Sequence, residues 1–341
     1  MLHSYLARYR DPHRGLRALR SACREAGVRL LRVPMHSPLQ GTGPVATRLG
    51  PFLGKVWGHL GIVAAALRYR QETLVVREFL TVPLFLVAPL LWARRRSVWF
   101  LCHHNLSMAQ HKPAHRWMLQ ALHTLGFGFM TFETRSAWEA VGPPRAAGRI
   151  VSMPYPLVAV ESRAGRDGDT VIGFVGNYRK EKSPDWALKA IVEAQRSGVL
   201  GTKTQLLIGT SDAAFREQWA ARAVVIDTTT EAAYTQALRT CDIVVLPYDE
   251  EAYAYRVSGV LADAVAAGAV VVAPDLPILR DQLMLPASVG ACYASRAALE
   301  DAVVRAMQLL HTRQLDEAFR AHESYRSIDG LKRALQPLVH P

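Results

Sequence analysis

The chain has 341 residues, of which half are hydrophobic and 21% are charged, with 41 Lys and Arg against 29 Asp and Glu. This length predicts about two domains, and the composition supports buried cores and excludes disordered, collagen-like and coiled-coil chains. The four cysteines have no metal-site or disulfide spacing, and the first residues lack a signal-like apolar run, so we expect a cytoplasmic protein.

Short apolar runs alternate with helical periods in the first half of the chain. Strands are predicted at Val28–Val33, Thr73–Val76, Ser97–Cys102, Gly128–Phe132 and Ile150–Met153. Helices are predicted at Gly15–Ala26, Pro51–Arg70 and Arg116–Leu125, with a further one beginning at Thr134. Strands that alternate with helices indicate βαβ units and a parallel sheet.

The uncharged segment Phe79–Trp92 lies between Glu78 and a run of three arginines that starts at Arg94. A helix that spans a bilayer needs roughly 20 apolar residues, so this segment is too short to cross one. Two interpretations stay open. The segment is a buried crossover helix with its flanking loop, or an apolar patch with an arginine collar that dips into a lipid interface.

A second βαβ series follows a polar connector at residues 157–170. Its strands are predicted at Thr170–Val175, Thr204–Gly209, Val224–Asp227, Ile243–Leu246 and Val270–Ala273, and its helices at Pro184–Ser197, Asp212–Arg222, Thr230–Arg239, Val257–Ala267, Arg296–His311 and Leu315–Ser324. The chain is therefore predicted to fold as α/β, with two tandem doubly wound Rossmann-like domains over residues 1–160 and 161–341. The last helix is free to pack back on the N-terminal domain. Ligands of such sheets bind outside the carboxyl ends of the strands, and we expect the two domains to face a cleft.

The positive charge is concentrated in the first domain. Residues 1–160 hold 21 Lys and Arg against 6 Asp and Glu, whereas residues 161–341 hold 20 against 23. This asymmetry favours an anionic partner such as phosphate or acidic lipid headgroups, the alternative being an Arg-rich soluble surface without a special role. No zinc-finger spacing, aromatic RNA-binding motif or basic-region heptad accompanies it, so nucleic acid is not expected as a partner.

Two stretches of the second domain carry candidate chemistry. In the first, Gly176 follows a strand, and Arg179 and Lys182 precede a helix that Ser183 is expected to cap. In the second, Arg256 and the Ser258–Gly259 pair coincide at the start of a helix. Basic side chains beside a helix N-terminus favour an anion, although neither stretch is a Walker or dinucleotide-binding loop.

These two stretches together resemble the C-terminal domain of GT-B glycosyltransferases, closest to the family four (glycosyl transferases group 1) proteins. The matching positions are Gly176, Lys182, Asp185, Asp263 and Gly268. The departures are Asn177 for the family's Arg, Ser183 for its Gly, and Tyr255 for the first Glu of its Glu-x7-Glu segment. Arg179 is expected to replace the missing Arg. In residues 1–160 only the strand order and the His104–Asn105 pair resemble the family.

The resemblance implies a nucleotide-sugar donor whose diphosphate lies against Gly176, Arg179, Lys182, Arg256, Ser258 and Gly259. It implies that Gly209, Asp227, Glu231, Glu251 and Tyr255 contact the nucleotide or the sugar. Asp263 and His104 are the predicted catalytic residues, His104 as an acceptor base, with a structural histidine as its alternative. No metal or cofactor is expected, because the Asp167–Asp169 pair lies in the linker.

The implied activity is metal-independent sugar transfer, of the hexosyltransferase type, to a glycan or lipid-linked acceptor. Arg outnumbers Lys 34 to 7, which suits a GC-rich bacterial coding sequence. We therefore expect a role in bacterial surface polysaccharide or glycoconjugate synthesis, peripheral to the inner face of the plasma membrane. The alternatives are a nucleotide-sugar epimerase or hydrolase on the same scaffold and a non-catalytic protein that binds membrane surfaces.

Overall fold

Most of the chain is described by the computed structural model, which covers residues 13–31, 44–102, 105–133, 136–141, 149–157, 168–182, 184–201 and 203–339. These residues belong to two compact units. The N-terminal unit combines Leu19–Pro154 with Ile328–Pro341, and the C-terminal unit is built on Tyr155–Ser327.

The N-terminal unit contains a sheet of five parallel strands in the order β1-β2-β3-β4-β5. The strands are β1 Val28–Leu31, β2 Thr73–Val76, β3 Val98–Leu101, β4 Gly128–Phe132 and β5 Ile150–Met153. The helices are α1 His13–Glu25, α2 Pro44–Arg68, α3 Thr81–Val87, the 3-10 helix Ala88–Arg94, α4 Asn105–His111, α5 Pro113–Thr124 and α6 Ser136–Glu139. Each described strand pairs with the next along the chain. Because parallel crossovers are right-handed, the helices that connect these strands lie over one face of the sheet.

The core of this sheet is aromatic. Phe100 and Phe129 are fully buried, and the Phe129 ring stacks on Trp138 with the ring centroids 4.7 Å apart. Gly128 leaves room for Trp99, since a Cβ at this position would lie 2.5 Å from the indole ring. Strands covered on both faces read as continuous apolar runs, and this explains why β2 to β5, which are buried along almost their whole length, were visible in the sequence.

The C-terminal unit contains a second parallel sheet, of six strands in the order β11-β10-β9-β6-β7-β8. The strands are β6 Thr170–Val175, β7 Thr204–Thr210, β8 Val224–Asp227, β9 Ile243–Val245, β10 Val270–Pro274 and β11 Gly290–Tyr293. The helices are the 3-10 turn Lys180–Lys182, α7 Pro184–Arg196, α8 Ala213–Trp219, α9 Glu231–Thr240, α10 Glu250–Tyr253, α11 Gly259–Ala266, α12 Pro277–Met284, the 3-10 turn Arg296–Ala298, α13 Leu299–Leu309 and α14 Arg313–Arg326. Two separate apolar clusters cover the two faces of this sheet. The predicted α/β class with two parallel sheets is confirmed.

Several boundaries differ from the sequence-based expectation. Helix α2 begins at Pro44, seven residues before the predicted start at Pro51. Strand β11 and helix α12 were not predicted, because an apolar run of four residues between turns gives little periodicity. A last helix, α15 Ile328–Val339, belongs to the N-terminal unit and contacts β5.

The apolar segment Phe79–Trp92 has two sides. Leu84 and Leu91 are fully buried, as a crossover helix requires, while Leu86 and Leu90 are 54% and 59% exposed. One side of the segment is therefore packed as a crossover helix, and the other side is an exposed apolar patch. Among the helices whose placement is described, none combines the length and the apolarity that a membrane span requires.

Candidate active site

The strand order of the second sheet defines a crevice. From β6 the chain continues to β7 and β8 on one side, whereas β9, β10 and β11 extend the sheet on the other side. Ligands of open parallel sheets bind at such a reversal, outside the carboxyl ends of the two central strands. The loops after β6 and β9 meet there, since the Asp249 amide donates to the Glu181 carbonyl over 2.9 Å. Both stretches singled out in the sequence therefore reach this crevice.

Lys182 is held in the loop that follows β6 and is only 7% exposed. Its Nζ lies 5.7 Å from the centroid of the Tyr248 ring, within the range of a cation–π contact. Gly176 has a φ of +143°, and a Cβ there would lie 3.0 Å from Nζ and 3.7 Å from Val260. The ammonium group therefore lies between the β6 loop and the first turn of α11, in space that the glycine leaves open.

Ser258 caps the N-terminus of α11. Its Oγ accepts a hydrogen bond from the Leu261 amide at 3.1 Å and lies 2.9 Å from the Tyr248 hydroxyl. Burial raises the pKa of Tyr248 well above its usual value, so this hydroxyl stays neutral. The positive end of the α11 dipole thus lies on the same side of the site as the Lys182 ammonium.

Gln282, on α12, fixes this cap by hydrogen bonds to the backbone of Ser258. Its side-chain carbonyl accepts from the Ser258 amide at 2.8 Å, and its Nε2 donates to the Ser258 carbonyl at 3.2 Å. Arg326 donates to the Gln282 carbonyl at 3.0 Å and to the Leu285 carbonyl at 3.1 Å. All three side chains are at most 2% exposed, so the start of α11 is fixed by buried hydrogen bonds.

Arg256 is the second cation of the site. Its guanidinium carbon lies 6.0 Å from the centroid of the Tyr253 ring, and Tyr253 stacks on Tyr248 with the centroids 3.9 Å apart. Lys182 and Arg256 therefore flank one stacked pair of tyrosines. The Nε of Arg256 is buried and makes no hydrogen bond within the described part of the chain. A buried charged donor without an acceptor favours an anionic ligand at this point.

Two other predicted phosphate-site residues have different surroundings. Arg179 lies 3.7 Å from the Glu181 carboxylate, which offsets part of its charge. Gly259 opens α11, and a Cβ there would lie 3.5 Å from the hydroxyl of Tyr155. Tyr155 thus reaches the start of α11 from the first residue of the C-terminal unit, and the sequence analysis did not identify it.

Asp263 lies one helical turn after Gly259, on the same side of α11. Its carboxylate accepts a hydrogen bond from the Tyr234 hydroxyl of α9 at 2.9 Å. This bond orients the carboxylate and ties α9 to α11. Tyr234 is a second residue that the sequence analysis missed, because the helices that carry the pair are far apart in the chain.

The residues predicted to contact nucleotide or sugar lie at the carboxyl ends of three strands or after them. Gly209 is packed tightly, since a Cβ would lie 3.0 Å from Ala237 and 3.3 Å from Val175. Asp227 is exposed and accepts from the Thr229 amide and from Arg216, at 3.0 and 3.1 Å. The remaining three positions are Glu231 and Glu251, exposed in the first turns of α9 and α10, and half-buried Tyr255.

Among the candidate site residues of the sequence analysis, His104, Asp167 and Ser183 lie outside the described residues. Asp169 of the acidic pair accepts from Gln205 at 3.3 Å. In the ranges that the structure covers, no group of three or more His, Cys, Asp or Glu side chains could hold a metal ion.

The comparison with protein families decides the class of the C-terminal unit. Residues 169–309 match the model of the family described as glycosyl transferases group 1. The chain is a glycosyltransferase. The match includes both loops of the crevice, and it ends at the last residue of α13. No curated protein matches the chain.

Solved structures share the fold of this glycosyltransferase at low sequence identity. The α,α-trehalose-phosphate synthase (UDP-forming) of Burkholderia vietnamiensis is 13% identical, with a TM-score of 0.58 over 85% of this chain and 77% of that one. Anabaena Alr3699/HepE in complex with UDP-glucose is 12% identical, with a TM-score of 0.53 over 88% and 84%. The pneumococcal O-GlcNAc transferase GtfA, in complex with UDP and GlcNAc, is 12% identical, with a TM-score of 0.52 over 82% and 60%. These likenesses confirm the GT-B fold.

Proposed function

We propose that this glycosyltransferase uses a nucleotide-sugar donor and holds the donor diphosphate in the crevice between the β6 and β9 loops. The observation that carries the proposal is the pair of cations on one tyrosine stack, Lys182 on Tyr248 and Arg256 on Tyr253. Gly176, Ser258 and Gly259 complete the site with backbone and a helix N-terminus. Arg179 is its outer cation, shared with Glu181.

This arrangement suits the charge that develops during sugar transfer. The acceptor oxygen forms a bond to the anomeric carbon, and the bond from that carbon to the diphosphate oxygen breaks. The acceptor hydroxyl releases a proton, for which His104 is the proposed base. The leaving nucleoside diphosphate gains negative charge, and preorganised cations stabilise it more in the transition state than in the ground state. In this proposal the protein cations do this without a metal ion or cofactor.

The other predicted residues have proposed roles around the donor. Asp263, whose carboxylate is oriented by Tyr234, would accept a hydrogen bond from a donor hydroxyl. Asp227 ends β8 and Glu231 follows it, while Glu251 and Tyr255 follow β9, and there they would line the nucleotide and sugar. Gly209 acts through packing, since its carbonyl accepts from the Gly176 amide at 2.8 Å. Tyr255 leaves the family's first glutamate position without a carboxylate, so Glu251 is the acid nearest to it in sequence.

Donor binding is tested by calorimetry with UDP, GDP, dTDP and ADP. UDP is the first probe, because the Burkholderia enzyme is named as UDP-forming and HepE was solved with UDP-glucose. We expect heat with one diphosphate and its loss in Arg256→Gln, with Arg196→Gln, at an exposed arginine of α7, as the matched control. Binding that is unchanged in Arg256→Gln would contradict the assignment of the site.

Transfer itself is tested with sugar nucleotides that carry the nucleoside diphosphate found to bind. Formation of a glycosylated acceptor supports the proposal, whereas free sugar released from the donor alone, at the same rate with and without acceptor, indicates a hydrolase or epimerase. We further propose a glycan or lipid-linked acceptor in bacterial surface polysaccharide or glycoconjugate synthesis, at the inner face of the plasma membrane. The excess of 21 basic over 6 acidic residues in the first 160 supports this placement.

A further inference from the structure

The helices over one face of the N-terminal sheet expose large apolar side chains. On α2 these are Leu53, Trp57 and Leu67, which are 52%, 66% and 51% exposed. The α3 segment and its 3-10 extension add Leu86, Leu90 and Trp92, and α5 adds Trp117. Soluble proteins seldom expose such side chains in groups, and a group of them marks an interaction surface. We call these seven residues the tryptophan face.

The three elements that carry the tryptophan face pack side by side. The Leu80 amide, just before α3, donates to His59 of α2 over 3.0 Å. At the other end, Arg94 donates to the carbonyls of Tyr69 and Glu72 at 3.1 and 2.8 Å. Phe85 and Trp117 join α3 to α5, with ring centroids 5.2 Å apart. Since the crossovers also lie on one side of the sheet, their outer sides form one continuous surface.

The segment that carries the tryptophan face has a positive net charge. Residues 44–125 contain ten Lys and Arg and two acids, Glu72 and Glu78. Both acids are paired, Glu72 with Arg29 at 2.6 Å and Glu78 with Arg77 at 2.9 Å. The basic side chains of this stretch that are exposed include Lys55, Arg68, Arg70, Arg96 and Lys112. This surface therefore combines exposed tryptophans with cationic side chains.

We propose that the tryptophan face docks on an anionic lipid bilayer. Tryptophan prefers the headgroup level of a membrane, where its ring is apolar and its N–H stays hydrated. Each basic residue near an anionic surface strengthens the attraction. A second copy of the chain would bring two positive surfaces together, which argues against self-association. The side chains protrude from three helices, and such a surface suits a deformable lipid interface.

The first test is sedimentation of the full chain with vesicles of phosphatidylglycerol and phosphatidylcholine in equal parts. We expect binding that falls with rising salt and is weak on phosphatidylcholine alone, together with a blue shift of tryptophan emission. Replacing Trp57, Trp92 and Trp117 together by Gln should lower the partition coefficient at least about tenfold. The matched control replaces Val199 and Val224, exposed side chains of the C-terminal unit, by Gln.

A second set of variants tests the charge. Lys55→Gln, Arg96→Gln and Lys112→Gln should each weaken binding by about fivefold. The exposed Lys189, Lys203 and Arg222 of the C-terminal unit provide control substitutions that should leave binding unchanged. Calorimetric titration of the tryptophan variant with UDP reports on the C-terminal unit and separates this proposal from that of donor binding.

Three results would overturn the proposal. One is a wild-type chain that stays in the supernatant with the anionic vesicles. Another is a tryptophan variant that sediments with them as the wild type does. The third is a dimer, detected by sedimentation equilibrium, that the tryptophan substitutions dissociate, since the face would then be an interface between copies of the chain.

Discussion

The two units use the same α/β construction for different purposes. In the N-terminal unit the described strands follow chain order, so the connecting helices gather on one face and present a broad outer surface. In the C-terminal unit the order reverses between β6 and β9, so two loops diverge and leave a crevice at the strand ends. Strand order therefore decides whether a parallel sheet offers mainly a surface or a pocket.

Charge follows the same division. The first 160 residues have a large excess of basic residues, whereas the crevice depends on two cations in a region with slightly more acids than bases. An extended anionic partner is attracted by many exposed charges, whereas a small diphosphate needs few charges in fixed positions. Four substitutions test this comparison, and they follow in order of expected effect.

The largest effect is expected from Lys182→Met, which keeps the length of the side chain and removes its charge. Loss of one preorganised group that stabilises a leaving diphosphate should lower kcat about a hundredfold or more. Steady-state transfer kinetics measure this loss. Lys189→Met, an exposed lysine of α7, is the control that should keep full activity. Wild-type turnover in Lys182→Met would show that the crevice is not the donor site.

The next effect is the pH dependence of stability caused by His322, which contacts Arg326. Burial lowers the pKa of His322 from 6.5 to about 4, and its neutral ring bonds to the Ala287 carbonyl and accepts from Arg326. As the pH falls, His322 is protonated in the unfolded chain at a higher pH than in the folded chain. The contribution of neutral His322 to the free energy of unfolding is therefore complete above about pH 6.5. About 3 kcal/mol of it is lost as the pH falls from 6.5 to 4.

Urea unfolding of the full chain at a series of pH values measures this loss. His322→Gln should flatten the dependence for the C-terminal unit. Burial also lowers the pKa of His59 and His123, so the N-terminal unit should keep its own acid sensitivity in this variant. An unchanged pH dependence in His322→Gln would refute the role of this ring.

Gln282→Leu is expected to destabilise the chain by about 1–3 kcal/mol, because the Ser258 amide and carbonyl lose their buried partner. The start of α11 would also loosen, so donor affinity should fall more than a purely structural loss predicts. Calorimetry with UDP at a temperature where the variant is fully folded separates the two effects. Leu283→Val, on the same helix, controls for a core change. Equal donor affinity in both variants would assign Gln282 to stability alone.

The smallest effect is expected at the Arg29–Glu72 pair of the N-terminal unit. Both side chains are more than a third exposed and the pair is screened by solvent, so Glu72→Gln should leave the free energy of unfolding almost unchanged. The same change removes one of two acids near the tryptophan face and should strengthen binding to anionic vesicles. Denaturant unfolding and vesicle sedimentation measure the two results. Weaker vesicle binding would contradict the proposed electrostatics.

Much of the site could be predicted from local sequence. Gly176, Lys182, Arg256 and Ser258 follow the ends of apolar strands, and the carboxyl ends of parallel strands meet at one edge. The tyrosine stack was missed, although Tyr248 and Tyr253 both lie between β9 and Arg256, Tyr248 in the loop and Tyr253 at the end of α10. Two tyrosines so close in sequence to a predicted cation are the signal that could have identified them.

Other partners could not be predicted, because they come from distant elements. Gln282 reaches Ser258 from α12, Arg326 reaches Gln282 from α14, and Tyr234 reaches Asp263 from α9. Their sequence context is that of ordinary amphipathic helices. Likewise, the run Phe79–Trp92 does not reveal which of its leucines face solvent. An apolar segment without polar residues has no periodicity that distinguishes its exposed side from its buried side.

The sequence by itself determined the α/β class, the two sets of strands, the concentration of charge in the first half and the cations of the crevice. These features depend on residue type and local spacing, which hydrophobic periodicity and turn chemistry record. Only the tertiary structure decided the strand order, the stacking of two tyrosines between two cations, and the joining of three helices into one tryptophan-bearing surface. Such contacts arise when elements far apart in the chain pack together, and no local pattern records them.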